Sequence, residues 1–377
     1  MNENSQASVI ARIGATVFLV TFICAGLFTL KCTTRTIQWT YTSEPNVQIT
    51  PAKQVILLTH GRSGSSWLGE LLNYNPNALY YFEPLHALKE DIQRRRQFLY
   101  TTGKTEQAPG PKDATVSIRI TENFLNCHFE NVPLSVLAPG GLKHSWFTIG
   151  GRHRQMSRFK SCILYETDDR PCIPLLTSAC QNASIVSFKT IRMTLRMTAG
   201  MLERNPALKI LYLIRDPRAT MLSSWKTFEK LRTETIAPVG INLFNFIRGY
   251  CKNVGDNANM YQEMETKFPG RILVIRYEDA IKDPVRKAEE VYQFLGHRMP
   301  SEVRDFVRDS ASAKEDNGVF GTSRTDPAQT AYKWVPTIPL KLVELVENEC
   351  SHGMKYFNYT PYDKLRSKYD EILSQLE

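Results

Sequence analysis

Residues 54–67, QVILLTHGRSGSSW, constrain the fold of this chain more than any other stretch. The apolar run 55–59 predicts a buried parallel strand. The small residues that follow predict a loop, and a helix is expected to begin at Trp67. A strand, loop and helix in this order can bind an anion, because the loop N–H groups and the helix N-terminus converge on it. The segment therefore predicts an α/β fold with an anion site behind its first strand.

This loop differs from the one that binds nucleoside triphosphates. That motif has the form G-x-x-x-x-G-K-[ST], and its lysine contacts the β- and γ-phosphates. Here no lysine follows Gly64, the only cation within the loop is Arg62, and three serines surround Gly64. A nucleotide-dependent kinase therefore stays only as an alternative. The residues of this loop favour a ligand that carries one phosphate followed by a group with a single charge.

A second anion site is predicted much further along the chain. Residues 209–214, KILYLI, predict another strand, which ends in the motif RDPR beginning at Arg215. Pro217 suits the first turn of a helix, and Asp216 is a candidate N-cap. Ligands of open α/β sheets bind at the carboxyl ends of strands. We therefore expect Arg215 and Ser223 to clamp a second phosphate.

With these two motifs the chain resembles the sulfotransferases that use 3′-phosphoadenosine-5′-phosphosulfate (PAPS). RSGSS and RDPRATMLSS are similar to the family's 5′-phosphosulfate and 3′-phosphate loops. Arg62, in place of the lysine of cytosolic members, resembles the Golgi carbohydrate branch. Three further segments resemble the enzymes that sulfate the 6-hydroxyl of GlcNAc, GalNAc or galactose: residues 81–86, residues 276–279 with 283–284, and residues 322–324 with 333–334. Val335 departs from this branch, which often carries arginine there.

The resemblance implies which residues bind the donor. They are expected in both loops and in the C-terminal region: Arg62, Ser63, Gly64, Ser65, Ser66, Trp67, Arg215, Ser223 and Arg324. The acceptor is expected to be a glycan, and PAPS is the expected co-substrate. No metal is expected, because arginine and backbone N–H groups can stabilise the charge that develops in sulfuryl transfer.

Catalytic roles are expected at both ends of the transfer. Arg62 is the candidate for stabilising the leaving phosphate oxygen. The acceptor hydroxyl needs a base, and Glu83 is preferred, with His86 as the alternative. The competing, non-catalytic role of Glu83 is an ion pair with an arginine such as Arg62. Lys189 and Arg192, at the end of a predicted strand, are candidates for binding substrate anions.

The rest of the chain predicts a P-loop-like sulfotransferase fold, with a central parallel sheet and helices on both faces. Strands are predicted over residues 55–59, 79–82, 185–191, 210–214 and 272–277. Helices are predicted over residues 67–74, 194–204, 219–231, 243–267, 284–295 and 340–349. Residues 88–180 break the alternation and are interpreted as an insertion over the carboxyl edge of the sheet, for acceptor recognition. Residues 311–337 are interpreted as a long loop.

The N-terminal region predicts a membrane anchor. Residues 13–30 carry no charge over 18 positions, the lower edge of a bilayer span. We expect a cytoplasmic tail (1–12), a signal anchor (13–30), a stem (31–52) and a lumenal domain (53–377) in the Golgi, as a single-pass type II protein. A cleaved signal peptide is the alternative. Arg12 precedes the span while Lys31 and Arg35 follow it, which opposes the positive-inside rule.

Features beyond the span favour a lumenal body. Asn182 and Asn358 begin glycosylation sequons. Six of the eight cysteines follow the span and its edge, which fits three disulfides with 15 possible pairings, left open by the sequence. These six are Cys127, Cys162, Cys172, Cys180, Cys251 and Cys350.

Composition restricts the function classes. With 42% hydrophobic and 23% charged residues the chain is globular. Its net charge of +9 admits nucleic acid as a partner, but no recognition helix or zinc-finger spacing is present. A basic cleft for an anionic donor accounts for the charge better. A catalytically silent glycan-binding membrane protein with the same fold is a further alternative, and whether the chain forms a homodimer is left open.

Overall fold

Five parallel strands form the sheet at the centre of the described residues. In spatial order they are β2 (Ala78–Phe82), β5 (Ile185–Thr190), β1 (Gln54–Thr59), β6 (Leu208–Ile214) and β7 (Ile272–Arg276). Every neighbouring pair runs parallel. The predicted central parallel sheet is therefore confirmed, and the strand that precedes the first loop is its middle strand.

The structure is a computed structural model that describes residues 53–110, 113–137, 154–165, 170–234, 242–311 and 327–374. All of these residues lie within one compact unit, residues 49–377. The predicted anchor and stem lie outside the described residues, as do Arg324 and most of the predicted loop 311–337. None of the described helices combines the length and the apolar character that crossing a bilayer requires.

Helices pack on both faces of the sheet, as predicted. In chain order, the helices of the described residues are α1 (Ser65–Asn73), α2 (Leu85–Gln93), α3 (Thr115–Leu125), α4 (Leu134–Leu137), α5 (Arg154–Tyr165), α6 (Ile173–Asn182), α7 (Leu195–Arg204), α8 (Pro217–Glu234), α9 (Leu243–Lys267), α10 (Tyr277–Ala280), α11 (Pro284–Leu295), α12 (Ser301–Ala311), α13 (Pro327–Tyr332), α14 (Leu340–Glu349), α15 (Ser351–Tyr356) and α16 (Tyr362–Ser374).

The sheet separates two apolar cores. Ile56 and Leu58 of β1 are buried in one core, and Val55 and Leu57 are buried in the other. Successive side chains of a strand point to opposite faces, and here both faces are covered. This is why β1 consists of a continuous apolar run and shows no alternation with polar residues.

Two predicted helix starts differ from the structure by two residues, and capping explains both. Helix α1 begins at Ser65, earlier than Trp67, because Gly64 precedes it as an N-cap in the left-handed conformation (φ 85°). Helix α8 begins at Pro217, two residues before the predicted start, because the Asp216 carboxylate accepts a hydrogen bond from the Arg218 N–H at 2.9 Å. The predicted N-cap role of Asp216 is thereby confirmed.

Within residues 88–180, part of the chain packs against a face of the sheet. The Phe124 ring of α3 lies 4.9 Å from the Tyr81 ring and 5.4 Å from the Phe188 ring, between centroids. A short antiparallel pair, β3 (Gln97–Leu99) and β4 (Thr105–Gln107), precedes this helix. Helix α3 is therefore part of the core, and the acceptor-recognition role of the segment stays a prediction.

Three disulfides connect the six cysteines of the described residues. The pairs are Cys127–Cys180, Cys162–Cys172 and Cys251–Cys350. The third pair joins α9 to the junction of α14 and α15, so that it fastens the C-terminal helices to the rest of the unit.

Candidate active site

The two predicted anion loops lie side by side because β1 and β6 are neighbours in the sheet. Thr59 at the end of β1 pairs with Leu213 near the end of β6. From β1 the chain runs to the β2 side of the sheet, and from β6 it runs to β7 on the other side. Such a reversal of direction opens a crevice between two adjacent strand ends, where open α/β sheets bind their ligands.

Internal hydrogen bonds close the first loop. The Ser63 hydroxyl is buried, donates to the His60 carbonyl at 2.6 Å and lies 2.5 Å from the Thr59 hydroxyl. Ser63 therefore shapes the loop with its side chain, and only its backbone N–H is left for the predicted phosphate contact. Arg62 adopts a left-handed backbone (φ 66°), which is uncommon for a residue with a side chain.

Helix α1 provides the N-terminal end that the sequence predicted. The first N–H groups of a helix, here those of Ser65 and Ser66, have no partner within the helix and carry partial positive charge. The Trp67 N–H donates to the Gly64 carbonyl at 3.1 Å. The Trp67 indole N–H donates to the Ser310 hydroxyl at 3.3 Å. Ser65 and Ser66 are thus the residues of this helix that fit an anion.

Side chains from both loops contact one another across the crevice. The Arg62 Nε donates to the Ser223 hydroxyl at 3.2 Å, and an Arg215 terminal nitrogen donates to the Arg62 carbonyl at 3.1 Å. Within the described residues, the buried Nε of Arg215 has no hydrogen-bond partner. The structure therefore brings together Arg62, Arg215 and Ser223, and the Arg215 Nε is a donor that an anionic group can satisfy.

Tyr277 contacts both loops, and sequence reasoning assigned it no role. The Arg215 guanidinium lies over the Tyr277 ring at 4.7 Å from its centroid. The same ring approaches Gly64 so closely that a Cβ there would be 2.3 Å from two ring carbons. Gly64 is thus required both by its positive φ and by Tyr277. Tyr277 belongs to the segment 276–279, which carried part of the family resemblance, but the sequence did not indicate that its ring contacts Gly64.

Glu83 lies between two cations. Its carboxylate accepts from the Lys189 Nζ at 3.0 Å and from an Arg192 terminal nitrogen at 2.8 Å. Burial raises the pKa of Glu83, but the charge of Lys189 and the hydrogen bond from Arg192 outweigh it, so that the pKa is lowered from its ordinary value. Glu83 is therefore an ionised carboxylate at neutral pH, and its partners are these two residues.

Lys189 and Arg192 differ in accessibility. Lys189 is buried, and its Nζ lies 3.9 Å from the centroid of the Phe82 ring. The Arg192 side chain keeps 20% of its surface exposed. Pairing of β5 with β2 places Lys189 beside the strand that precedes Glu83. Of the two predicted substrate cations, Arg192 is the one that an acceptor can reach; their substrate role stays a prediction.

His86, the alternative base, lies one helical turn beyond Glu83. Its backbone N–H donates to the Glu83 carbonyl at 3.0 Å in the first turn of α2, and it is partly buried. Glu83 itself has a left-handed backbone (φ 51°). Both Glu83 and Arg62 thus hold a backbone conformation that is costly for non-glycine residues and is often found at functional sites.

A buried ionic network supports the second loop, and sequence reasoning did not predict it. The Arg218 guanidinium is completely buried and bonds to Asp216 and Glu347. Burial and the charge of Asp216 raise the pKa of Glu278, which accepts from the Asp216 N–H at 2.9 Å. One signal was available: an arginine in the first turn of a helix opposes the helix dipole, so that Arg218 requires acidic partners.

The described residues contain no group of three or more His, Cys, Asp or Glu side chains arranged for a metal ion. The expectation that no metal takes part stays a prediction. The arrangement fits two anionic groups of one ligand, one at the start of α1 and one between Arg215 and Ser223.

Substitution of Gly64 tests whether this crevice holds the donor. We expect Gly64→Ala to weaken the binding of 3′-phosphoadenosine 5′-phosphate (PAP) at least tenfold, because the new Cβ must displace Tyr277 and strain the loop, at about 1–2 kcal/mol for the backbone alone. Calorimetric titration with PAP measures the change. Gly61→Ala is the matched control, since its Cβ would meet only Ile191, at 3.7 Å. Equal affinity of the two variants would place the donor elsewhere.

Comparison with known proteins identifies the family. A sulfotransferase-domain profile matches residues 52–317. Human carbohydrate sulfotransferase 3 is 25% identical over 335 residues, covering 82% of this chain and 67% of that protein. Rat carbohydrate sulfotransferase 1 is 26% identical over 334 residues, covering 81% of this chain and 79% of that protein.

Among solved structures, a sulfotransferase domain from the curacin biosynthetic pathway is 19% identical, with a TM-score of 0.41, covering 82% of this chain and 99% of that chain. Mouse sulfotransferase SULT7A1 complexed with PAP is 14% identical, with a TM-score of 0.39, covering 82% and 89%. The assignment rests on the sequence match, which covers well over half of the chain. The chain therefore belongs to the sulfotransferase family, as a PAPS-dependent enzyme whose predicted resemblance to the carbohydrate sulfotransferases is confirmed.

Proposed function

We propose that this chain transfers the sulfuryl group of PAPS to the 6-hydroxyl of a GlcNAc, GalNAc or galactose residue in a glycan or glycosaminoglycan. The observation that carries the proposal is the hydrogen bond between Arg62 and Ser223, which joins the two anion loops into one site. The names of the curated relatives support a carbohydrate acceptor. The 6-hydroxyl follows from the resemblance in residues 81–86 and 276–279.

Each loop is assigned one end of the donor. The N–H groups of Ser65 and Ser66 bind the 5′-phosphate at the helix N-terminus, together with the backbone of Ser63 and Gly64. Arg215 and Ser223 bind the 3′-phosphate. Trp67 and Arg324 complete the donor site in this proposal.

The transfer needs stabilisation of one oxygen and removal of one proton. The acceptor oxygen forms a bond to sulfur while the bond from sulfur to the phosphate oxygen breaks, and the electron pair of that bond stays on the phosphate. Arg62 stabilises this oxygen, since a guanidinium already in place stabilises developing charge without reorganising. Lys189 and Arg192 orient the acceptor end of the site through Glu83.

Glu83 accepts the hydroxyl proton in this proposal. A carboxylate with a lowered pKa is a weak base towards an alcohol. The proton becomes much more acidic as the bond between oxygen and sulfur forms, however, so that an ionised Glu83 can accept it late in the step. Its two cationic partners keep the carboxylate ionised and fixed in orientation. His86 is the alternative base.

Transfer of labelled sulfate tests the reaction itself. We expect label from PAPS to appear on a 6-hydroxyl within a panel of GlcNAc-, GalNAc- and galactose-terminated glycans, and to do so equally with chelator present. Analysis of the product linkage identifies the position. Transfer of phosphate from ATP would instead establish the kinase alternative. Glycan binding without transfer would establish the silent binding protein.

The pH dependence of turnover distinguishes the two candidate bases. Glu83 must be ionised to accept a proton, and its pKa is lowered, so activity should persist as pH falls and decline only below the ordinary carboxylate range. A histidine base would give a decline near its ordinary pKa of about 6.5. Glu83→Gln should lower kcat by about 10²–10⁴-fold while PAP affinity changes little.

Glu289→Gln is the matched control for this substitution. Glu289 is also paired with an arginine, Arg304 at 2.7 Å, but it is an exposed residue of α11 that has no assigned role in binding the donor or the acceptor. It should leave kcat unchanged. Near-normal turnover of Glu83→Gln, with loss of activity in His86→Ala and an acid limb near 6.5, would assign the base to His86.

We also propose that the chain is a type II Golgi membrane protein with a lumenal catalytic domain, 53–377, and that residues 88–180 contribute to acceptor recognition. Three disulfides support an oxidising compartment. The sequon residues Asn182 and Asn358 are both exposed, as glycosylation requires.

Glycosylation tests the lumenal orientation. In secretory cells we expect Asn182→Gln and Asn358→Gln each to remove one glycan, because both side chains are accessible. Gel mobility before and after glycosidase treatment measures this. Asn253→Gln is the control, since Asn253 is exposed but begins no sequon. No mobility shift of the unmodified chain, together with cytosolic protease sensitivity in sealed vesicles, would reverse the orientation.

A further inference from the structure

Arg218 has a buried guanidinium that the proposed mechanism does not use. Its Nε donates to Asp216 Oδ1 at 3.0 Å and one terminal nitrogen donates to Asp216 Oδ2 at 2.6 Å. The remaining contacts reach the C-terminal region: Glu347 Oε1 at 2.6 Å and the Thr360 carbonyl at 2.8 Å. A buried charge is tolerated only when it is paired and hydrogen-bonded in this way.

These C-terminal partners lie beyond residue 317, where the family match ends. Glu347 lies on α14 and also accepts from the Tyr362 N–H at 2.7 Å, which ties it to the start of α16. The Trp334 ring covers Arg218, with its centroid 5.2 Å from the guanidinium carbon. The C-terminal helices therefore form the wall against which the turn between β6 and α8 is held.

A second connection holds the backbone of the same turn. The Asp216 N–H donates to Glu278 Oε1 at 2.9 Å, and Glu278 Oε2 accepts from the Tyr359 hydroxyl at 3.3 Å. Asp216 and Glu278 are each only 3% exposed. Asp216 is thus held by hydrogen bonds of its side chain to Arg218 and of its backbone to Glu278. Arg218 and Glu278 in turn bond to residues within 347–360.

Arg215 immediately precedes Asp216 in the chain. Its own side chain rests on the Tyr277 ring and donates to the Arg62 carbonyl, and the direction in which it leaves the backbone depends on the Asp216 peptide. We propose that Arg218 and Glu347 are positioning residues of the donor site: they hold the turn that begins at Arg215 so that the Arg215 side chain faces the 3′-phosphate. This inference rests on the 3′-phosphate role of Arg215 given under Proposed function.

The consequence is that the C-terminal helices set the affinity for the donor. When the turn is released, only a fraction of molecules presents Arg215 correctly, and the apparent dissociation constant rises by the inverse of that fraction. Turnover of the bound complex is preserved, because the 3′-phosphate is remote from the reacting sulfur. The expected signature is a higher KM for PAPS with an unchanged kcat.

Glu347→Gln is the substitution that tests this. It keeps the shape of the side chain and removes the charge that pairs with Arg218. We expect the dissociation constant of PAP, measured by calorimetric titration, to rise about three- to tenfold, the size of a weakened hydrogen bond to a charged group. Glu344→Gln is the matched control, because Glu344 lies on the same helix, one turn away, and is exposed. It should bind PAP as the unmodified enzyme does.

A double substitution separates positioning from general destabilisation. If Glu347 acts through Arg215, then Glu347→Gln should have no further effect on PAP affinity in an Arg215→Ala background. An equal loss in both backgrounds, or an unchanged affinity in folded Glu347→Gln, would overturn the inference. Tyr359→Phe, which removes only the hydroxyl on Glu278, should raise the dissociation constant in the same background-dependent way.

The Arg215→Ala variant separates the 3′-phosphate role of Arg215 from the positioning role of Arg218 and Glu347. If it binds PAP as tightly as the unmodified enzyme, the 3′-phosphate assignment is wrong and the positioning role is wrong with it. If it loses affinity while Glu347→Gln and Tyr359→Phe do not, the donor site stands and only the positioning role is rejected. Thermal unfolding of each variant verifies that the measured protein is folded.

Discussion

The parallel pairing of β1 with β6 is the interaction on which the site depends. Each strand ends in a loop that is a weak anion site by itself, and their sequence positions are far apart. Register places Thr59 opposite Leu213, so that the two loops begin at the same level of the sheet. The hydrogen bond from Arg62 to Ser223 follows from that register, and so does the ability to hold both ends of one ligand.

Several cationic side chains lie at this edge of the sheet, and some of them are paired with a carboxylate. Lys189 and Arg192 are neutralised in part by Glu83, whereas the buried Nε of Arg215 has no partner within the described residues. In the proposed function, the cations on the acceptor side are thus paired within the protein, whereas on the PAPS side the Arg215 Nε–H can still be satisfied by an anion. This difference matches a reaction in which the donor carries the phosphates and the acceptor offers a neutral hydroxyl.

Much of this fold could be predicted from the sequence, because two-sided burial leaves a continuous apolar run in β1 and β6. The start of α1 was less predictable, since Gly64 caps it through a left-handed backbone that composition does not reveal. For α8 the sequence indicated Asp216 as the N-cap, but the predicted start was two residues too late. The partners of Glu83 were not predictable either. They come from β5, which is distant along the chain and reaches Glu83 only through its pairing with β2.

By itself, the sequence determined the α/β class, the positions of both loops and the family, because these depend on local order: an apolar strand, small residues, then a helix start. Only the tertiary structure decided which side chains meet. It placed Tyr277 against Gly64, Lys189 beneath Glu83, and the C-terminal Glu347 on Arg218. The physical reason is that ion pairs and ring contacts act over a few ångströms in space, whereas the residues that make them are separated by long stretches of chain.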